Sequence, residues 1–226
     1  MNVLLFGATG MVGGGVLREC LQAPDVHAVL TVGRTPTGLT HPKLREVAHA
    51  NLWDFTAIES QLTGFDACFF CLGVSYVGLT EVDYTRLTYD LTLAAATTVA
   101  RLNPGMTFVY VSGMGTDSSE RGRTMWARVK GRTENALLRV PFEGVYLFRP
   151  GIIQPLHGLR SKTLLYRAFY AVTAPILPVL RNLFPRVILT TEQMGQAMLT
   201  VARSGWPDPV LEPGHIRDAA RDRASL

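Results

Sequence analysis

The chain has 226 residues, 47% of them hydrophobic and 18% charged, with a formal net charge of +4. This suits one domain with a large core, such as a helix-covered parallel sheet, and no linker, low-complexity tract, internal repeat or heptad series divides it. The mild basicity does not imply a nucleic-acid partner; a solvated surface and sites for phosphate-bearing ligands compete to explain it.

Val3 to Phe6 has the length and branching of a buried parallel strand, and Gly7, Gly10 and Gly13 follow it directly. Val12, Val16, Leu17 and Cys20 then fall at helical spacing. A strand, a glycine turn and a helix start in that order form a dinucleotide-binding pattern. Gly7 allows the turn, Gly10 the approach of a pyrophosphate and Gly13 close helix packing, while Thr9 supplies a hydroxyl donor. His27 to Val32 is the second strand and leads into Gly33 and Arg34. In this fold an acid about 20 positions after the glycines reads the ribose 2′-hydroxyl, whereas an arginine accommodates a 2′-phosphate. Between Val26 and Arg45 there is no Asp or Glu, so Arg34 predicts NADP(H) in preference to NAD(H). The competing reading is an ordinary exposed loop arginine.

Thr35 to Pro42 reads as loop and Leu44 to Ala48 as a short third strand, after which Asp54 is placed to cap a helix. Asn51 or Leu52 is expected beside the adenine. Ala67 to Leu72 reads as the fourth strand, opening at Gly73 onto the cofactor crevice. Cys68 and Cys71 have the spacing of a redox pair, but three residues along a strand point to opposite faces, so core packing is expected instead. With three cysteines and a core strand at the start, the expectation is a reduced, cytoplasmic protein. No metal-ligand spacing is present.

Tyr84 to Leu102 reads as a long helix stopped by Asn103-Pro-Gly105, and Thr107 to Val111 as the fifth strand, followed by Ser112. Met125 to Leu138 is helical and sets Trp126 and Lys130 one turn apart on one face. Gly144 to Phe148 is the sixth strand. In Leu156 to Phe184, 13 residues separate Arg167 from Arg181 and two prolines interrupt them, too short for a membrane span of about 20 residues. A substrate lid, a subunit contact and a membrane-surface helix compete there. Thr190 caps a helix running to Arg203, Val210 to Glu212 adds a short strand, and Arg217 to Leu226 reads as a frayed tail.

The Gly7-Ala-Thr-Gly-Met-Val-Gly13 start, Arg34, Cys71-Leu-Gly73, Ser112, Lys130-Gly-x-x-Glu134 and Phe148-Arg-Pro-Gly151 together resemble an atypical short-chain dehydrogenase/reductase. The branch most similar is the bacterial NAD-dependent epimerase-like proteins akin to the Tat-interacting protein TIP30. The resemblance is firm over residues 1–155 and loose beyond. It implies a doubly wound α/β Rossmann fold in a single domain of 1–226, with a cofactor-binding core of 1–155 and a substrate or lid region of 156–226. It also implies cofactor contacts at Gly7, Thr9, Gly10, Met11, Val12, Gly13, Arg34, Asn51, Leu52, Cys71, Leu72, Gly73 and Lys130. In that family a Tyr four residues before the Lys transfers the proton, the Lys binds the nicotinamide ribose and a Ser orients the carbonyl. Lys130 and Ser112 match, but Trp126 stands at the Tyr position, and its indole N–H does not ionise in the useful range. Ser118, Asp117, Tyr110, Tyr76 and His157 are the substitutes within reach by topology. Two functions follow: an NADP(H)-dependent oxidoreductase or epimerase acting on a small molecule, with Ser112, Lys130 and Trp126 at its centre, or a non-catalytic NADP(H)-binding sensor. Pattern gives no handle on a homo-oligomer.

Overall fold

The computed structural model describes residues 1–159 and 187–222. Its strands are β1 (Asn2–Phe6), β2 (Ala28–Gly33), β3 (Leu44–Ala48), β4 (Ala67–Phe70), β5 (Thr107–Val111), β6 (Gly144–Phe148), β7 (Ile152–Gln154), β8 (Ile188–Thr190) and β9 (Val210–Leu211). The helices are α1 (Met11–Gln22), α2 (Glu81–Thr85), α3 (Leu91–Leu102), α4 (Met125–Leu137), α5 (Thr191–Ser204) and α6 (Pro213–Arg221). A 3-10 turn, Thr56–Gln61, precedes β4, and a π-helical turn, Arg86–Asp90, joins α2 to α3. The expected helix over 84–102 therefore begins earlier, at Glu81, where Thr80 accepts from the Asp83 N–H and caps it.

Seven parallel strands form the main sheet in the order β3-β2-β1-β4-β5-β6-β9. The strand order reverses at β1, so the carboxyl ends of β1 and β4 diverge and open a crevice. Alternation along β1 sorts the two faces. Val3 and Leu5 pack with Val16, Leu17 and Cys20 of α1 and with Met194, Ala197 and Met198 of α5. Leu4 and Phe6 face the other way, against Leu91, Ala95 and Val99 of α3 and the rings of Phe70 and Phe108. Cys68 lies in the second cluster, while Cys71, one residue beyond the end of β4, packs against the first.

Two expectations are corrected, and one strand pair is added. β4 ends at Phe70 rather than Leu72, because only Ala67 to Phe70 pair with both β1 and β5. The tail does not fray from Arg217: α6 runs to Arg221 and buries Ile216, Ala219 and Ala220 against the α1 face, an amphipathic spacing that its charged residues obscure. Residues 223–226 lie outside the described residues. The pair β7-β8 was not foreseen, since each strand is three residues long and its partner is 36 positions away at Ile152↔Ile188. The expected lid lies largely outside the described residues, which hold no helix long and apolar enough to cross a membrane.

An ion pair fixes the layer beneath the crevice. Glu134 of α4 is 1% exposed and takes the Arg149 guanidinium, 11% exposed at the end of β6, through Nε at 3.1 Å and through Nη2. Arg149 also donates to Ser118 Oγ at 2.6 Å and reaches Glu212 at 3.4 Å. The residues of two separate sequence motifs thus lock α4 to β6 and β9, and the carboxylate holds the guanidinium above its usual pKa.

Candidate functional site

The crevice has two compartments. The smaller, about 80 Å3, lies at the ends of β1 and β2 and is lined by Gly7, Thr9, Arg34, Glu46, Leu52 and Leu72, among others. The larger, about 590 Å3, runs from Gly10, Met11 and Val12 past Cys71, Leu72 and Gly73 to Ser112, Trp126 and Lys130.

Local backbone explains the first compartment. Gly7 sits at φ +84°, and a Cβ there would lie 2.7 Å from the Cys71 backbone, so the loop passes β4 only as glycine. A Cβ on Gly13 would lie 2.1 Å from the Gly7 carbonyl, which brings the first turn of α1 directly onto that loop. Gly10 occupies the N-cap with no side-chain cap, and no acid stands in the first turn. The N-terminal N–H groups of a 12-residue helix thus face a glycine cradle, and this donor set fits a pyrophosphate. Arg34 is exposed at the rim, and among the described residues no carboxylate pairs with it. Leu52 is buried in the wall at 5% exposure. Asn51 is not part of it: its Oδ1 accepts from the Trp53 N–H at 3.2 Å within the turn. Of the two residues expected beside the adenine, only Leu52 lines this compartment.

The second compartment joins side chains from distant segments. Ser112 leaves β5 with its N–H donating to the Phe148 carbonyl at 2.7 Å, and its Oγ lies 3.0 Å from Thr116 Oγ1. Thr116 donates to the Gly113 carbonyl at 2.8 Å, so the Ser112 proton is directed to Thr116 or to a ligand. Lys130 is held loosely: Nζ is 3.4 Å from the Val111 carbonyl, 3.5 Å from the Tyr110 hydroxyl and 5.2 Å from the Tyr110 ring centre. Burial pushes its pKa down to about 8, against the opposing pull of Glu134 one turn on. Trp126 stacks on Tyr76 with ring centres 6.0 Å apart and planes at 24°, its indole beside Gly113 and Gly115.

The substitute acids separate clearly. Asp117 accepts from the Ser119 N–H at 3.0 Å, the Ser119 hydroxyl at 2.6 Å and the Gly122 N–H at 2.6 Å; these bonds hold it below the usual carboxylate range and outside the cavity lining. Ser118 is committed to Arg149, and His157 stands at φ +56° with Nε2 3.5 Å from Glu192. Tyr110 is in the core and burial drives its hydroxyl pKa up. Tyr76 alone of the five lines the cavity. Sequence reasoning missed Tyr84, Met114 and Ile153 in this lining and Glu46 in the other. The signal for Glu46 was there to find, since it is the first acid after β2.

No family model matches the chain. It is 26% identical over 223 residues to the protein FMP52-2, mitochondrial, of Scheffersomyces stipitis, covering 94% of this chain and 91% of that one. It is 30% identical over 159 residues to the protein fmp52, mitochondrial, of Emericella nidulans, covering 67% and 66%. Among solved structures it is similar to the Bordetella bronchiseptica enzyme WbmF in complex with NAD+, at TM-score 0.67 and 15% identity over 99% of this chain and 77% of that one. A short chain dehydrogenase family protein from Francisella tularensis aligns at TM-score 0.64 and 14% identity over 90% and 91%. These likenesses establish the Rossmann fold expected from the glycine motif. The relatives overturn the cytoplasmic expectation, which rested on cysteine number and the first strand: they are named as mitochondrial proteins.

Proposed function

We propose that this chain, which has the Rossmann fold of the short-chain dehydrogenase/reductase superfamily, is an NADP(H)-binding oxidoreductase or epimerase acting on a small, largely apolar molecule. The observation that carries this is the opening of Ser112 and Lys130 onto one cavity together with the uncapped start of α1 and the end of β4. The Gly7 to Gly13 loop would hold the pyrophosphate, Arg34 the 2′-phosphate, Leu52 the adenine and Lys130 the nicotinamide ribose. Once bound there, the nicotinamide would supply or accept a hydride. The chain's own part is then to orient a carbonyl through the Ser112 hydroxyl, to exclude water with Trp126, Tyr76, Met114 and Ile153, and to deliver a proton. The complex of the WbmF fold neighbour with NAD+ supports a nicotinamide dinucleotide without deciding between the two forms.

Calorimetric titration of NAD+ and NADP+ tests the cofactor reading. Arg34→Ala should weaken NADP+ by about 1.5 to 3 kcal/mol, the worth of a charge-assisted contact, and leave NAD+ nearly unchanged. Equal weakening of both would remove Arg34 from the 2′ site. A second reading, a non-catalytic cofactor-binding protein, is favoured by one observation: Trp126 fills the place of the proton-transferring Tyr, and four of the five substitutes do not line the cavity.

A further inference from the structure

Strand β3 runs parallel to β2 with Glu46 opposite Thr31, which carries its carboxylate under the loop that holds Arg34. Glu46 and Arg34 line the same small compartment at the end of β2, yet they form no ion pair with each other. The two oxygens of Glu46 are used unequally. Oε2 accepts from the Thr31 hydroxyl at 3.1 Å and from the Thr37 N–H at 2.8 Å, while among the described residues no hydrogen bond goes to Oε1. One oxygen fixes the carboxylate and the 33–37 loop in place; the other is left for a donor. An ionised carboxylate only accepts hydrogen bonds, so it complements a ribose hydroxyl and repels a phosphate, the converse of a guanidinium.

We infer that Glu46 is a second reader of the adenine-ribose 2′ position, set against Arg34, and that it preserves NAD(H) binding in a chain whose Arg34 favours the 2′-phosphate. This rests on the proposed placement of the dinucleotide. In the doubly wound folds the acid that reads this hydroxyl follows the second strand. Here that position carries Arg34, and the acid comes from the neighbouring strand, one pairing across. The chain therefore presents both charges to one ligand position and discriminates between the cofactors by their difference. If Glu46 serves only to pin the loop, its charge is irrelevant to the choice, since an amide oxygen also accepts from Thr37 and Thr31 and any weakening of the loop acts on both cofactors alike.

Glu46→Gln separates these cases, because it keeps an acceptor for the loop and removes the charge. In titrations of the full chain with NAD+ and NADP+, the variant should bind NAD+ about tenfold more weakly, the low end of a charge-assisted hydrogen bond, and NADP+ more tightly than the native chain. A change of equal size and sign for both, or no change, would overturn the inference. The same comparison in an Arg34→Ala background gives an independent readout: that variant should prefer NAD+, and adding Glu46→Gln should erase the preference. A preference that survives the double change would equally overturn it. Binding of neither dinucleotide by the native chain would refute the placement of the cofactor itself, a failure visible before any variant is made.

Discussion

At the β1–β2 end of the crevice the lining is mostly two short stretches, Gly7 to Thr9 and Thr31 to Thr37, with Glu46, Leu52 and Leu72 beside them, whereas at the β5–α4 end it comes from residues as far apart as Met11, Tyr76, Ser112, Trp126 and Ile153. The first end works by backbone. Glycines remove Cβ atoms that would strike Cys71 or Gly7, and helix N–H groups supply the donors. The second end works by side-chain chemistry on a frame held rigid by the Glu134–Arg149 pair. A scaffold divided in this way lets the glycine-loop end persist while the chemistry at the other end is altered or lost, and Trp126 is where this chain departs from the short-chain dehydrogenase/reductase pattern that it resembles.

The largest expected effect lies at that departure. An alkoxide formed without a positioned acid loses about 10²- to 10⁴-fold in rate, so NADPH-dependent reduction of simple aldehydes and ketones should be weak or undetectable in the native chain. Trp126→Tyr should raise it, since Ser112 and Lys130 line the same cavity. Rapid native turnover governed by one titrating group would break the contrast between the two ends and direct attention to Tyr76. Next in size is the frame. Glu134→Ala leaves the guanidinium of Arg149 without its main buried partner and should cost about 3 to 5 kcal/mol in denaturant unfolding. A loss below about 1 kcal/mol, as for an exposed pair, would show that the frame does not depend on it.

A smaller effect joins the two ends. Lys130→Met should weaken dinucleotide binding by about 1.5 to 3 kcal/mol with the circular dichroism spectrum unchanged, because one charged donor to the ribose is lost. Unchanged affinity would detach Lys130 from the cofactor. The smallest effect is on pH dependence. Burial lowers Lys130 in the folded chain to about 8 from 10.5, so between those values the unfolded chain holds more protons. Stability should then rise with pH across that window and fall as pH drops back toward 8, and Lys130→Met should flatten this slope in thermal melts.

Local pattern carried the elements whose signal is continuous in sequence. β3, β5 and β6 were legible to the residue, and Thr190 forms the capping box that starts α5, with the Thr190 hydroxyl accepting from the Gln193 N–H at 3.0 Å. Where the signal was short or divided it failed. β7 and β8 are three residues each, and α6 hides its apolar stripe among Arg217, Asp218 and Arg221. Glu46 is not legible as a neighbour of Arg34 because it lies on the next strand along the chain, beyond Arg45, and only the sheet brings β3 alongside β2.

The sequence by itself determined the parallel sheet, the glycine cradle and the spacing that sets Trp126 and Lys130 on one face of α4, because each depends on residues within a few turns of one another. Only the tertiary structure decided that Lys130 sits in a cavity where burial lowers its pKa, that Asp117 and His157 are committed elsewhere, and that Glu46 shares a compartment with Arg34. The reason is physical. Periodicity reports which face of an element is buried, but the chemistry of a site depends on which faces meet and what each side chain finds there.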